Sequence, residues 1–247
     1  MIMLLTKIQI TESHSKNLNL FPSKLLFMII KNIVFDLGGV LLNIDQHATI
    51  NAFKELGVEN FDEFFTFAKQ SHLFDRLDKG EVSPEEFRDE IRRISGKDLN
   101  DKDIDSAWNA MLLDLPKERI TLLEMAREHY RTFLLSNTNA IHYPTYTHYM
   151  KETYGYNSLS GLFERDYLSH EVGMRKPDQG IFQFVLKENN LNPAETLFID
   201  DTERHVEGAR KTGIVGYWLD LSKDNVLDIF DNNGQVRQSV IITLENR

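Results

Sequence analysis

Three short apolar runs in this chain each stop at a polar or acidic residue: residues 33–35 at Asp36, 133–135 at Ser136-Asn137, and 196–199 at Asp200-Asp201. Runs this short and this rich in Ile, Phe, Val and Leu read as buried strands rather than helices. From residue 131 onward they alternate with helix-length segments. The spacing predicts a strand over 131–136, a helical stretch, and a short strand at Tyr167-Leu168. A helix opened by Pro177-Asp178 then runs to about Lys187, followed by a strand over 196–199, a helix to Lys211 stopped by Gly213, and a strand over 214–219. Such alternation builds an α/β fold, a parallel sheet with crossover helices. Ligands of open parallel sheets bind beyond the carboxyl ends of the strands. That edge would collect Asp36, Ser136, Asn137, Asp200 and Asp201.

After the first strand come Gly38-Gly39 and then Val40-Leu41-Leu42, a tight glycine turn and a return of the chain. The segment that follows is too long for a simple crossover. Residues 46–115 are expected to form an inserted helical subdomain, with apolar residues at helical spacing. Ser83-Pro84-Glu85-Glu86 reads as an N-cap, a proline at the first helical position and acids in the first turn. The expected core is 28–45 with 116–247. Residues 1–27 read as an N-terminal extension, with Met28 a second plausible start. The tail after Asp220 carries one late apolar run, 240–243, to which the pattern assigns no role.

Lys plus Arg is 28 and Asp plus Glu is 38, a net charge of −10 over 247 residues. That balance argues against a nucleic-acid partner, whose phosphates need Lys and Arg. It leaves room for a small phosphorylated metabolite held by a local cationic site. Cysteine is absent, which removes disulfides, Cys-ligated zinc and thiol catalysis and fits the cytoplasm. No apolar run approaches the roughly 18–20 residues of a membrane helix, so no membrane partner is expected.

Between the second and third polar strand ends lies Gly173-Met174-Arg175-Lys176-Pro177-Asp178, a cationic loop ahead of a helix. Carboxylates, a hydroxyl and a lysine suit phosphoryl transfer, because a carboxylate can attack phosphorus once a cation masks its charge. Adjacent acids at a strand end suit Mg2+, which takes oxygen ligands.

Asp36-Leu37-Gly38-Gly39-Val40, Ser136-Asn137, Lys176-Pro177 and Asp200-Asp201 resemble, in order, the four motifs of the haloacid dehalogenase superfamily. The resemblance covers roughly residues 30–220. It implies a Rossmann-like core with an α-helical cap, here 46–115, and looks closest to the sugar-1-phosphate phosphatase and epoxide-hydrolase N-terminal branches. It implies Asp36 as a nucleophile that forms an aspartyl-phosphate. Ser136 and backbone amides would hold the phosphoryl oxygens, supported by Asn137, while Lys176 neutralises charge. Mg2+ would lie between Asp36, Asp201, Asp200 and the carbonyl of Gly38. The expected activity is hydrolysis of a small phosphomonoester, a sugar phosphate first. The alternatives are a metal-independent 2-haloacid dehalogenase and a catalytically weak binding or regulatory protein.

Two positions depart from the family pattern. Most phosphatases of this family place a second Asp where this chain has Gly38, as general acid and base. His205 stands where Asp or Asn is common. Further expectations are local. Asp45 reads as a helix cap or a cleft residue, and His47 as a possible substrate contact. Phe61, Phe64, Phe65, Phe67 and Phe74 read as cap core. Arg76 and Lys79 are candidates for the cap face over the site. Arg175 reads as a solvated charge, and His142, Tyr143, Tyr146, His148 and Tyr149 as a surface helix.

Overall fold

The computed structural model describes residues 28–58 and 72–245. Residues 1–27 and Phe61, Phe64, Phe65 and Phe67 lie outside the described residues. Strands β1 (Asn32–Phe35), β2 (Arg131–Ser136), β3 (Arg165–Leu168), β4 (Thr196–Asp200) and β5 (Val215–Trp218) form one parallel sheet in the order β3-β2-β1-β4-β5. The strands expected from the sequence are all present. The largest boundary difference is at β3, which starts at Arg165. It is an edge strand, so its first residues are polar and its apolar pattern is short.

Side chains alternate between the two faces of the sheet, as the period of two requires. Ile33, Phe35, Leu134, Leu197 and Ile199 enter one buried cluster. Val34, Phe133, Leu135 and Phe198 enter the cluster on the other face. The chain runs from β1 to β2 to β3 on one side, then returns to place β4 on the other side of β1. The switch point of the sheet therefore lies between β1 and β4. Register pairs Phe35 with Ile199, and the Asp36 amide donates to the Ile199 carbonyl at 2.9 Å. Asp36 is thereby level with Asp200 at the switch point.

Four helices follow β1 among the described residues: α1 (Gln46–Glu55), α2 (Leu73–Asp78), α3 (Pro84–Ser95) and α4 (Asp101–Asn109). They bury a cluster of their own, built on Phe53, Leu77, Phe87, Ile91, Ile104 and Trp108, with Phe74 packed against it. The chain enters and leaves this layer along paired segments. Asn43 N donates to the Asp114 carbonyl, Leu113 N to the Asn43 carbonyl and Asp45 N to the Met111 carbonyl. Asp45 caps α1, its Oδ1 accepting from His47 N at 2.9 Å, and His47 is exposed. Ser83 and Glu86 form the full capping box at the start of α3.

The remaining helices are α5 (Lys117–Ala126), α6 (His142–Tyr154), α7 (Ser169–Val172), α8 (Gln179–Glu188), α9 (Glu203–Arg210), α10 (Val226–Ile229) and α11 (Gln238–Glu245). The late apolar run forms α11, whose Val240 and Leu244 join the main core, and Met28 N donates to Glu245 Oε1 at 2.6 Å. The surface-helix expectation for α6 is corrected in part. His142, Tyr146 and Met150 recur every fourth residue, so they share one face and are buried, while His148 is exposed. No described helix is long and apolar enough to cross a membrane.

Candidate active site

Each site residue owes its place to the end of a strand or the loop beyond it. Asp36 follows β1, Ser136 ends β2, and Asp200 ends β4 with Asp201 next. Lys176 comes from the loop between α7 and α8 and is fully buried. Its Nζ donates to Asp36 Oδ1 and to Asp200 Oδ2, each at 2.6 Å, and lies 5.4 Å from the centre of the Phe198 ring. An isolated ammonium would not persist there; two carboxylates and an aromatic face hold it. Burial opposes its charge, yet Asp200 and Asp36 together keep it above the ordinary lysine range.

The three acids respond differently. Burial and the neighbouring Asp200 push the Asp36 carboxyl up to about 8 against the pull of Lys176. Burial and Asp200 likewise push Asp201 up to about 6. Asp200 is buried too, but Lys176 and His205 outweigh that and bring it down to about 2. Its oxygens are heavily engaged: besides Lys176, Oδ1 accepts from Thr202 N at 2.8 Å and from His205 Nδ1 at 3.1 Å. Ligand oxygens of Asp36, Asp200 and Asp201 lie within 4.8 Å of one another. When all three acids are ionised, three carboxylates and one ammonium leave two negative charges, and hard oxygen donors match a small divalent cation. The donor set therefore fits Mg2+, and the raised acids are those whose charge such a cation would stabilise.

The glycines of the first motif have distinct demands. Gly39 has φ +78°, and a Cβ there would sit 2.3 Å from Asp201 Oδ2. Only glycine lets this carboxylate approach the turn. A Cβ at Gly38 would meet Ile44 Cδ1 at 3.4 Å, an ordinary contact, so sterics do not require glycine there.

Asn137 is engaged with the lysine loop. Its Oδ1 accepts from Lys176 N and its Nδ2 donates to the Lys176 carbonyl, both at 2.9 Å. The amide thereby fixes the Lys176 loop to the end of β2. The expectation for Arg175 is corrected. It is not a solvated charge: only 15% of its side chain is exposed, and it pairs with Asp75 and with Asp78 Oδ2, the latter at 3.4 Å. Arg76, by contrast, is exposed beside Glu86 and Glu90, and Lys79 pairs with Glu81 at 2.8 Å.

Sequence reasoning missed Asp75, Asp78 and Asn139. Asn139 Oδ1 accepts from His142 N at the start of α6, at 3.0 Å, and its Nδ2 donates to Asp78 Oδ1 at 3.2 Å. The acids Asp75 and Asp78, one helical turn apart, were the available signal, but a charge pair on a short helix is ordinary surface in most proteins. A cavity of about 720 Å³ opens at the opposite end of the sheet, lined by Lys31, Arg131 and Glu195. Lys31 pairs there with Glu195 and Arg131 with Glu164.

A family model described as haloacid dehalogenase-like hydrolase matches residues 30–213. The chain is 30% identical to a D-ribitol-5-phosphate phosphatase of Bacteroides thetaiotaomicron over 75% of this chain and 89% of that protein. Among solved structures it resembles a HAD family enzyme of the same organism in complex with magnesium and inorganic phosphate. That match has TM-score 0.71, 40% identity, and covers 79% of this chain and 96% of the other. It also resembles a HAD-like family hydrolase of Porphyromonas gingivalis, with TM-score 0.73 and 34% identity over 81% of this chain and 95% of the other.

Proposed function

The chain belongs to the haloacid dehalogenase-like hydrolase family, and on that premise we propose that it hydrolyses a small phosphomonoester, a sugar phosphate by preference, in a Mg2+-dependent reaction. The observation that carries this is the buried lysine bridging Asp36 and Asp200 beside Asp201 at the switch point of the sheet. The relative that acts on D-ribitol-5-phosphate and the neighbour holding magnesium and phosphate support the same chemistry. The helical layer, residues 46–115, acts as the cap.

Asp36 is the nucleophile. Its carboxylate oxygen forms a bond to phosphorus as the ester P–O bond breaks, and the leaving oxygen takes the electron pair and a proton. Water then attacks the phosphorus of the aspartyl-phosphate, releasing inorganic phosphate and restoring the carboxylate. Lys176 holds Oδ1 and favours the ionised acid, opposing its burial and Asp200 without fully overcoming them. Ser136 and nearby backbone amides bind phosphoryl oxygens, and Asn137 acts through Lys176. Asp36, Asp201 and the Gly38 carbonyl would hold Mg2+, with Asp200 behind them. When bound, the ion offsets the negative charge of nucleophile and phosphoryl group. The cap excludes water during transfer.

Gly38 supplies no side-chain proton. The leaving group is then one that needs little protonation, such as an anomeric or acyl phosphate, or its proton comes from elsewhere. A metal-free dehalogenase fits less well, because acids within 4.8 Å of the nucleophile repel its charge. The test is phosphate release from a phosphomonoester panel with Mg2+ and with EDTA. Metal-dependent release that disappears in Asp36→Asn is expected. Release indifferent to EDTA, or an Asp36→Asn variant near wild type, would overturn the assignment.

A further inference from the structure

Arg175 and Lys176 are consecutive, yet their side chains reach different layers of the molecule. Lys176 runs down to Asp36 and Asp200, and Arg175 reaches α2, where it pairs with Asp75 and Asp78. The backbone between these anchors is itself held, since Asn137 accepts from Lys176 N and donates to the Lys176 carbonyl. From the β2 loop, Asn139 reaches the same helix through Asp78. Two core loops that carry phosphate-site residues thus converge on one acid of the helical layer.

The seam around this convergence is tight. Beyond the end of α2, Gly80 lies against α7, and a Cβ there would come within 2.4 Å of the His170 carbonyl. Arg175 and Asp78 keep only 15% and 17% of their side chains exposed, and Arg175 Nε is buried without a hydrogen-bond partner. A guanidinium in such a place depends on its carboxylates staying put. Were α2 to lift, both acids would leave, and the Arg175 end of the loop would lose its restraint while Asn137 kept the other.

We propose that Arg175 is a positioning residue that latches α2 against the core and couples its docking to the placement of Lys176. It touches neither substrate nor metal; it acts through the lysine beside it. For its catalytic readout the latch rests on the phosphatase assignment above, so the test includes a readout that does not.

The experiment compares wild type, Arg175→Ala, Arg175→Lys and Asp78→Asn in two assays. The first is steady-state kinetics on the best substrate of the panel with saturating Mg2+. The second is hydrogen–deuterium exchange of residues 73–80 in the full chain without substrate. Arg175→Ala is expected to lower kcat about tenfold or more and to speed exchange over 73–80. Arg175→Lys, which keeps the charge and one contact, recovers part of both. The nearly isosteric Asp78→Asn guards against a misfolded alanine variant and gives the same two changes more weakly. Unchanged exchange in both Arg175→Ala and Asp78→Asn overturns the latch. Faster exchange with kcat within twofold of wild type overturns the coupling to Lys176. If wild type releases no phosphate at all, the phosphatase assignment fails, and the exchange result alone decides whether α2 is latched.

Discussion

Replacing Lys176 with methionine keeps the apolar stem of the side chain to within one atom and removes its charge. In the native protein the ammonium makes two 2.6 Å bonds to acids that are 7% and 0% exposed. Without it, Asp36 and Asp200 remain buried within 4.8 Å of each other. Were both ionised they would repel by about 3.5 kcal/mol at an effective dielectric of 20, which drives Asp36 further toward its protonated form. Breaking a buried pair by removing one partner costs about 3–5 kcal/mol. For a domain of this size that is a fall in Tm of roughly 6–20 °C. The sign of the Mg2+ effect then follows from charge. With its acids ionised around a bound cation, the variant cluster carries three negative charges against a net two in wild type, so a divalent cation stabilises the variant more. A ligand at 100 times its Kd contributes about 2.7 kcal/mol, enough to return much of the loss. Differential scanning calorimetry in EDTA and in Mg2+ checks both statements, and phosphate release should fall by about 10²–10³-fold. A variant within about 2 °C of wild type in EDTA, or an equal Mg2+ shift in both proteins, would refute the reasoning that the lysine's charge holds these acids together.

Other consequences follow from the same geometry. Gly39→Ala places a methyl group 2.3 Å from Asp201 Oδ2 on a backbone with φ +78°. Calorimetric titration should show Mg2+ affinity reduced by about tenfold or more, beyond a stability loss of about 1–2 kcal/mol for the strained backbone. Gly38→Asp should fold, since its Cβ meets Ile44 Cδ1 at 3.4 Å. If the missing acid limits turnover, simple alkyl phosphates should gain up to about 10²–10⁴-fold; no gain in an intact fold would show the proton already has a source. His142 is held neutral by burial, its pKa brought down to about 3. The unfolded chain takes up a proton below about 6.5 that the native state resists, so stability falls as pH drops below that value, by about 2 kcal/mol at pH 5. Urea unfolding of wild type and His142→Gln between pH 7 and 5 checks this. The variant, whatever its absolute stability, should lose less over that interval, and parallel curves would refute it.

The sheet was legible because its signals are local. Short apolar runs with abrupt polar ends placed Asp36, Ser136 and Asp200 on one edge, and parallel register did the rest. Asp45 and Ser83 were legible for the same reason, since a cap lies within three residues of its partner. Arg175 was misread because a loop cation among polar neighbours looks solvated until a helix 100 residues away packs over it. How Asn137 lends support was not legible either, because its two partners on the Lys176 backbone come from the 173–178 loop, 39 residues away.

By itself, then, the sequence determined that carboxylates, a hydroxyl and a lysine meet at the carboxyl edge of a parallel sheet, because apolar runs and the polar residues that end them are properties of neighbouring residues. Tertiary structure alone decided that the lysine is buried between two of those acids, that Asp200 is occupied by Thr202 and His205 while Asp36 and Asp201 are raised, and that α2 is tied to the lysine's loop through Arg175. Charge balance and burial depend on which distant groups share a volume, and that is set only when the layers close.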